Sequence, residues 1–450
     1  MSKGIILNKT RMLESLRRLF LYKNGLVGLI IANVFILVFA PTHWLYYDVR
    51  YFIEWVDVVK QHGLFSVYSY AHKVAYPPIP VMVFTLMHTL ASSITSSTYL
   101  IRLIDKIPLI LAFNIIYYLL RKHYGLSAAH LWLVSYASYL TIFAYQFDLL
   151  AVLFLLASFI ELTKKNPSPL RLGLYNALYL LVKQGLVFLA FIPLIYLLKK
   201  YGVKPAMKYV LVGLATGLVF ILPFIIYDPC SFIEKVLFFH SARYPQELSL
   251  WAIPVYLSNF NYTIIPTWYS WLWFPIYLFA TIYLLYKFYR CKQINDKIVL
   301  KYIILLLIVL LVTNKVGNEN YLVWIIPFLA IFLSLHLEYR DLRLIYIVLP
   351  VMSSLLFPLV TYFAAAVAQG SLLIMEDLSH YSAMWLVERS FERGAIIFPL
   401  IDYARIYFYG FFDALYKCMW VSSTIFVIFY NVCLLYVFKK IYSIKYPGEE

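Results

Sequence analysis

A few ionisable side chains stand out because each sits at the edge of a long apolar run. Asp48 comes shortly after the first such run, and Arg102 opens a later one. Asp148 closes the Gln146-Phe147-Asp148 step between two runs, and Lys183-Gln184 interrupts a stretch of Leu and Val. Lys315, Glu319 and Asn320 fall in the turn NKVGNENY, and a longer polar segment carries His240, Arg243 and Glu247. A carboxylate in such a place can take a proton from a hydroxyl group, and cations can hold a departing anion. Charges at membrane depth are costly unless they face water or one another, which makes them functional candidates by default. Each also has a plain structural reading. Asp148 fits a helix N-cap, Lys183 a snorkelling side chain, Arg102 a partner of Asp105, and Lys315 a partner of Glu319. His240 and Arg243 fit a solvated loop.

The elements that must position these residues are membrane helices. Of the 450 residues, 63% are hydrophobic and 13% charged, with a mean hydropathy of +0.78. Soluble domains run nearer ~45–50% apolar and ~25% charged, so a cytosolic enzyme, a nucleic-acid binder and a disordered chain are excluded. Apolar stretches able to cross ~30 Å of hydrocarbon recur at 24–41, 100–120, 127–145, 147–163, 170–183, 185–198, 207–227, 270–288, 299–314, 321–337, 343–366 and 416–438. The expected fold is all-α, a polytopic transmembrane bundle of about 12 spans forming one domain over 1–450. The segments 170–183 and 185–198 are short and read either as two spans or as one helix broken near Lys183-Gln184-Gly185. The stretch 77–97 either spans or re-enters. Letting it re-enter keeps Arg121, Lys122 and His123 on the side of the basic tail, 1–23.

Charge then sets the orientation. With that choice 25 of the 38 Lys and Arg lie inside with only 7 acids, so the inner face carries +18 and the outer face −2. The +16 net charge is a positive-inside signature, with both termini cytoplasmic. Three outer loops result, at 42–99, 228–269 and 367–413. In the first, Tyr51, Phe52, Trp55, Val56 and Val59 recur at 3–4 spacing, which predicts an amphipathic helix over 48–60 with its aromatics toward the membrane. Four cysteines make no framework, although Cys230 and Cys418 share the outer side. Asn261-Tyr262-Thr263 is an acceptor sequon on that side.

The ordered series Asp48, Tyr51, Gly63, Tyr68, Tyr76-Pro77-Pro78, Arg102, QFD at 146–148, VKQG at 182–185 and KVGNENYLVWIIPF at 315–328 resembles the GT-C-fold membrane glycosyltransferases. These enzymes, among them the dolichol-phosphate-mannose-dependent mannosyltransferases, use polyprenol-phosphate sugars on the outer or luminal face. The resemblance covers roughly the first 330 residues and is loose in spacing. Arg50 stands where the enzyme that adds the first mannose to glycosylphosphatidylinositol has the second Asp of an Asp-x-Asp pair. A metal site there would lack its second carboxylate.

The resemblance implies transfer of a hexose, mannose first, from a polyprenyl- or dolichyl-phosphate sugar to a glycan, lipid or protein acceptor. Asp48 would be the general base, and Lys183, Arg243, Lys315 and Arg102 would hold the donor phosphate. Tyr76, Asp148, Gln184, His240, Glu319 and Asn320 would orient sugar or acceptor. Asp148, Glu319 and His240 are also placed to hold a divalent cation, magnesium or manganese. Because the lipid phosphate leaves, no nucleotide cradle is needed, and the chain has no GxxxxGK[ST] loop. The implied location is a plasma membrane or the endoplasmic reticulum, with the site on the outer or luminal side. A secondary transporter or flippase of lipid-linked sugars is the competing class, and a non-enzymatic subunit of a membrane complex is a third.

Overall fold

The computed structural model describes residues 25–42, 46–239, 243–259, 265–369 and 397–449. The basic tail, His240, the sequon at Asn261 and the charged residues from Glu376 to Arg393 lie outside the described residues. Among the described residues the chain is an all-α bundle whose only strands are two residues long each.

The path shuttles between two ends. α1 (Gly25–Phe39) starts beside Tyr117, whose hydroxyl donates to the Gly25 carbonyl (2.6 Å), and ends beside Lys106, whose ammonium donates to the Ala40 and Phe143 carbonyls. α2 (Tyr46–His62) buries Tyr51, Phe52, Trp55 and Val56 and leaves Asp57 and Lys60 exposed, following the expected 3–4 pattern. Gly63 stops α2 in a left-handed conformation (φ 89°) that favours glycine. The chain then folds back over α2: Trp55 Nε1 donates to the Lys73 carbonyl (2.8 Å) and the Tyr68 hydroxyl to that of Tyr76 (2.9 Å).

Pro78 takes the first position of α3 (Pro78–Ile94), where a missing N–H costs nothing. α3 does not carry the chain to the far end. His88 on α3 meets Asp105 of α4 (Thr98–Asp105) at 2.9 Å, and the Tyr99 hydroxyl returns to the Leu37 carbonyl (3.4 Å) near the end of α1. The 77–97 segment thus leaves and rejoins the same end of the bundle.

α5 (Ile107–Val134) runs to the far end, reverses at Gly125 (φ 87°) and comes back, so that Trp132 Nε1 donates to the Phe113 carbonyl (3.2 Å). A break at Ser135 leads into α6 (Tyr136–Phe143). α7 (Asp148–Leu162) and α8 (Pro169–Val182) go down and up, with Glu161 at the turn holding Lys164 (2.6 Å) and Arg171 (3.2 Å). Lys183 is extended (φ −146°, ψ 96°), and a 3-10 turn, Gln184–Ala190, passes into α9 (Phe191–Tyr201). The Tyr201 hydroxyl reaches the Lys165 carbonyl (3.2 Å) back at the far end. The 170–198 stretch is therefore two helices running in opposite directions.

α10 (Val203–Tyr227) and α11 (Pro229–Ile233) return to the Asp48 end, where β1 (Gln246–Glu247) forms. α12 (Trp273–Arg290) goes down and α13 (Asp296–Thr313) comes up to β2 (Val316–Gly317), which pairs in parallel with β1. α14 (Ile326–Leu335), α15 (Arg340–Val351) with the π-helical turns Met352–Leu356 and Leu359–Phe363, α16 (Ile397–Lys417) and α17 (Met419–Ser443) complete the described chain.

Burial separates two kinds of helix. α13 is buried all along Ile298–Val312 and forms the centre of the bundle. α10 is apolar all round yet leaves Leu211, Leu214, Leu218, Val219 and Ile226 exposed. Its 25 residues reach about 37 Å, enough for a bilayer core, and an exposed helix of this kind is stable in lipid, not in water. Among the described residues five helices are long and apolar enough to cross a membrane, or six if the bent pair α4–α5 is one span. The expected spans 24–41, 127–145 and 321–337 are built shorter or broken, because Gly125 and Ser135 interrupt the ladder and α1 and α14 fall below spanning length. The basic loops meet at the far end. There Lys199 donates to the Cys291 carbonyl, Lys301 pairs with Glu449 (2.9 Å) and Lys440 with Asp341 (3.1 Å). All four cysteines are free.

α8 packs on α10 at Gly173, where an added Cβ would lie 2.5 Å from the Tyr209 carbonyl oxygen. Gly173→Ala is expected to pry these helices apart at a cost of about 1–3 kcal/mol. The change should be read as a lowered thermal midpoint of the purified protein in detergent.

Candidate functional site

Asp48 stands in the first turn of α2, where the fold-back of 63–77 brings Lys73 to it and the turn between α6 and α7 brings Gln146. Gln146 Nε2 donates to its Oδ2 (2.7 Å), and Lys73 Nζ lies 3.5 Å from its Oδ1. Lys73 is itself steadied over the Tyr51 ring (4.8 Å). Gln146 follows Tyr145, a non-glycine residue in the left-handed region (φ 55°), and its own Oε1 accepts from the Tyr76 hydroxyl (2.9 Å). Burial pushes the Asp48 carboxyl up, but Lys73, the Gln146 hydrogen bond and Arg243 together outweigh it and hold the carboxyl below the usual range. Asp48 is thus ionised at neutral pH while 22% of its side chain still meets solvent.

A second centre lies beside it. Asp148, the first residue of α7, has no exposure and accepts from Trp324 Nε1 (2.6 Å) and Asn320 Nδ2 (2.8 Å), with Lys183 Nζ 3.5 Å from Oδ1. This replaces the N-cap reading: the cap position belongs to Phe147, and the carboxylate points across the bundle. Nor does Lys183 snorkel. Its ammonium sits over the rings of Tyr321 (4.6 Å), Tyr76 (5.1 Å) and Trp324 (5.8 Å), an aromatic cage closed by the stacked Tyr321–Trp324 pair. Tyr76 joins the two centres, with its ring over Lys183 and its hydroxyl on Gln146.

Arg243 and Lys315 complete the site. Arg243 lies within electrostatic reach of Asp48, Tyr76, Tyr321 and Lys315. Lys315 is buried beside Trp271 (5.6 Å), and burial, then the like charge of Arg243, lowers its ammonium to about 8. The parallel β1–β2 bridge fixes this turn: Gln246 N donates to the Lys315 carbonyl and Leu248 N to that of Gly317, both at 3.0 Å. With its amide turned to donate, Asn318 reaches Asn320 Oδ1 (2.9 Å), Glu319 Oε2 (3.1 Å) and Glu247 Oε2 (3.2 Å). Gln184 Nε2 donates to the Val236 carbonyl (2.9 Å) and the Ala75 carbonyl (3.4 Å). It also lines, with Pro77, an apolar cavity of about 670 Å³ between α8, α9 and α10.

Of the residues singled out from sequence, Asp48, Tyr76, Asp148, Lys183, Arg243, Lys315, Glu319, Asn320 and Gln184 gather at one end. Arg102 does not join them. It is buried beneath the end of α1, donating to the Pro41 carbonyl (3.5 Å). Asp105, its expected partner, is hydrogen-bonded to His88 and meets Arg102 as a nearby charge. Among the described residues no three His, Cys, Asp or Glu side chains gather to hold a metal ion. Lys73 belongs to the site but was not singled out from sequence, whereas Gln146, Tyr321, Trp324 and Glu247 were named there only as members of their segments. Lys73 alone gave a comparable signal, as a single cation among aromatics in YAHKVAY. No protein-family model and no curated protein matches this chain.

Removing one partner of a buried ion pair strands the other. Lys183→Met is therefore expected to cost about 3–5 kcal/mol. In a double-mutant cycle with Asp148→Asn the double variant should lose less than the two singles combined, measured as detergent-phase thermal midpoints.

Proposed function

We propose that this chain is an integral-membrane glycosyltransferase that moves a hexose, mannose first among candidates, from a polyprenyl-phosphate sugar to a hydroxyl acceptor. The observation that carries the reading is that Arg243 lies within electrostatic reach of both Asp48 and Lys315. A candidate base and a candidate anion site thereby fall under the influence of one guanidinium. In the proposed step the acceptor oxygen bonds to the sugar C1 as the C1–O bond to the lipid phosphate breaks, with inversion. Asp48 takes the acceptor's proton, and the leaving phosphate is held by Arg243 and Lys315. Lys183 is neutralised by Asp148 and acts by positioning Tyr76 and Tyr321.

The apolar cavity supports a lipid donor. Pro77 and Gln184, neighbours of the site in sequence, are among its lining residues, and Gly213, Gly217, Ala177 and Ala190 leave room between helices. The clustering of basic loops at the opposite end supports an outer or luminal site with cytoplasmic termini. The alternation of helices between the ends supports about twelve crossings, counting the shorter and broken segments. His240, one of the three residues expected to hold a divalent cation, lies outside the described residues, and the proposed step is written without that cation.

The test supplies the purified full chain with polyprenyl-phosphate mannose or glucose and a panel of acceptors. Wild type should transfer sugar. Asp48→Asn should lose about 10²–10⁴-fold in rate while keeping its thermal midpoint within a few degrees. Transport of lipid-linked sugar in proteoliposomes with no transfer would favour the flippase reading instead. The pH profile of kcat/KM gives a second check. Lys315 loses its proton as pH rises through about 8, so activity should fall on that limb. Lys315→Arg, which stays charged, should move the limb to higher pH.

A further inference from the structure

The turn between α6 and α7 serves both carboxylate centres: Gln146 meets Asp48, and two residues on Asp148 opens α7. That turn is a Schellman cap. Tyr145 N donates to the Ile142 carbonyl (3.1 Å) and Gln146 N to that of Thr141 (2.8 Å). This puts Tyr145 at the left-handed position (φ 55°) that glycine usually fills. A tyrosine there is a conformation the surroundings must enforce. Tyr145 has no exposure, its hydroxyl donates to the Asp105 carbonyl (2.6 Å), and its ring packs edge-on to Phe84 (5.2 Å) and Phe147 (5.4 Å). The backbone from which Gln146 projects is therefore pinned.

The Gln146 side chain is buried, and both ends of its amide are engaged. Oε1 accepts from the Tyr76 hydroxyl (2.9 Å), and Nε2 donates to Asp48 Oδ2 (2.7 Å). The order is forced, because an ionised carboxylate only accepts whereas a phenol can donate. Reversed, the amide would set an oxygen against a carboxylate oxygen. Tyr76 in turn is held by the Lys183 ammonium over its ring (5.1 Å). We propose that Gln146 is the positioning residue of Asp48: aligned by the Tyr76 hydroxyl and pinned by the Tyr145 cap, its amide holds the carboxylate ionised and in one orientation. The role of Asp48 as a base rests on the transferase reading; the control that Gln146 exerts over its protonation does not. Burial favours the neutral acid at Asp48, and Lys73, Arg243 and Lys183 oppose it through charge. A charge favours ionisation whichever way the carboxylate is turned. The amide hydrogen bond does so only in one direction, and a base that must meet an acceptor hydroxyl needs that direction set.

The test labels the detergent-purified full chain with a hydrophobic carbodiimide, which reacts with protonated carboxyl groups, and follows Asp48 by mass spectrometry as a function of pH. Gln146→Leu removes a hydrogen bond to an ionised group and should move the labelling midpoint up by about one pH unit. Tyr76→Phe keeps the ring over Lys183, loses only the aligning hydroxyl, and should move it the same way by less. The midpoint separates protonation from access, since loosened packing changes the plateau rate alone. A residue that only supports the fold would lower the thermal midpoint and leave the labelling midpoint in place. A wild-type labelling midpoint in either variant overturns the proposal. Displaced midpoints in both variants, with no sugar transfer by wild type, would overturn the transferase reading and leave this one standing.

Discussion

A carboxylate with no solvent around it survives only where positive charge and hydrogen-bond donors surround it. Asp148 is in that state, and satisfying it organises this end of the bundle. Its partners come from two distant parts of the chain: the break at Lys183, and the 314–324 turn with Asn320 and Trp324. The helix that ends at Val182 does not run on: Lys183 N still donates to the Tyr179 carbonyl, but its extended backbone turns the chain aside while its ammonium meets Asp148. Through Tyr76, above Lys183 and bonded to Gln146, the same constraint passes to Asp48. One buried pair thus fixes the frame within which a solvent-touched carboxylate is held ionised.

The two carboxylates are built for different tasks. Asp148 is sealed and engaged by Asn320, Trp324 and Lys183, which suits holding segments together. Asp48 keeps part of its surface in water and has a lysine, an amide and a distant guanidinium for company. The cations divide in the same way. Lys183 is spent on Asp148 and an aromatic cage, whereas Lys315 and Arg243 bring two like charges into one pocket. An anion between them would relieve that repulsion. The apolar cavity beside Gln184 puts a lipid-accommodating space within reach of the pair.

Much of this was legible from charge and hydropathy. The amphipathic helix of the first loop, the return of 77–97 to its own end and the gathering of the basic loops follow from simple rules about burying apolar faces and sorting Lys and Arg. Single charges beside apolar runs pointed to Asp48, Asp148, Lys183 and Lys315 because such charges need a local reason. The same rule misled at Arg102. Its neighbour Asp105 is taken by His88, a partner seventeen residues back that only the packing of α3 on α4 reveals. Lys73 escaped notice because it lies in a polar segment where a lysine needs no special reason. Glu247 stood out only as one charge of its segment, since its left-handed backbone is set by a bridge to residues far along the chain. The span count was legible only as a number of apolar runs. Hydropathy does not register the breaks at Gly125, Ser135 and Lys183, which are decided by backbone geometry and by one ion pair.

The most direct measurement is an electron cryomicroscopy structure of the full chain in nanodiscs with a polyprenyl-phosphate hexose bound. The account predicts phosphate density against Arg243 and Lys315, the sugar's C1 facing Asp48, and the prenyl chain entering the cavity between α8, α9 and α10. A phosphate seated elsewhere, such as beside Arg102 and Lys106, or an Asp48 carboxylate turned away from the bound sugar, would contradict it.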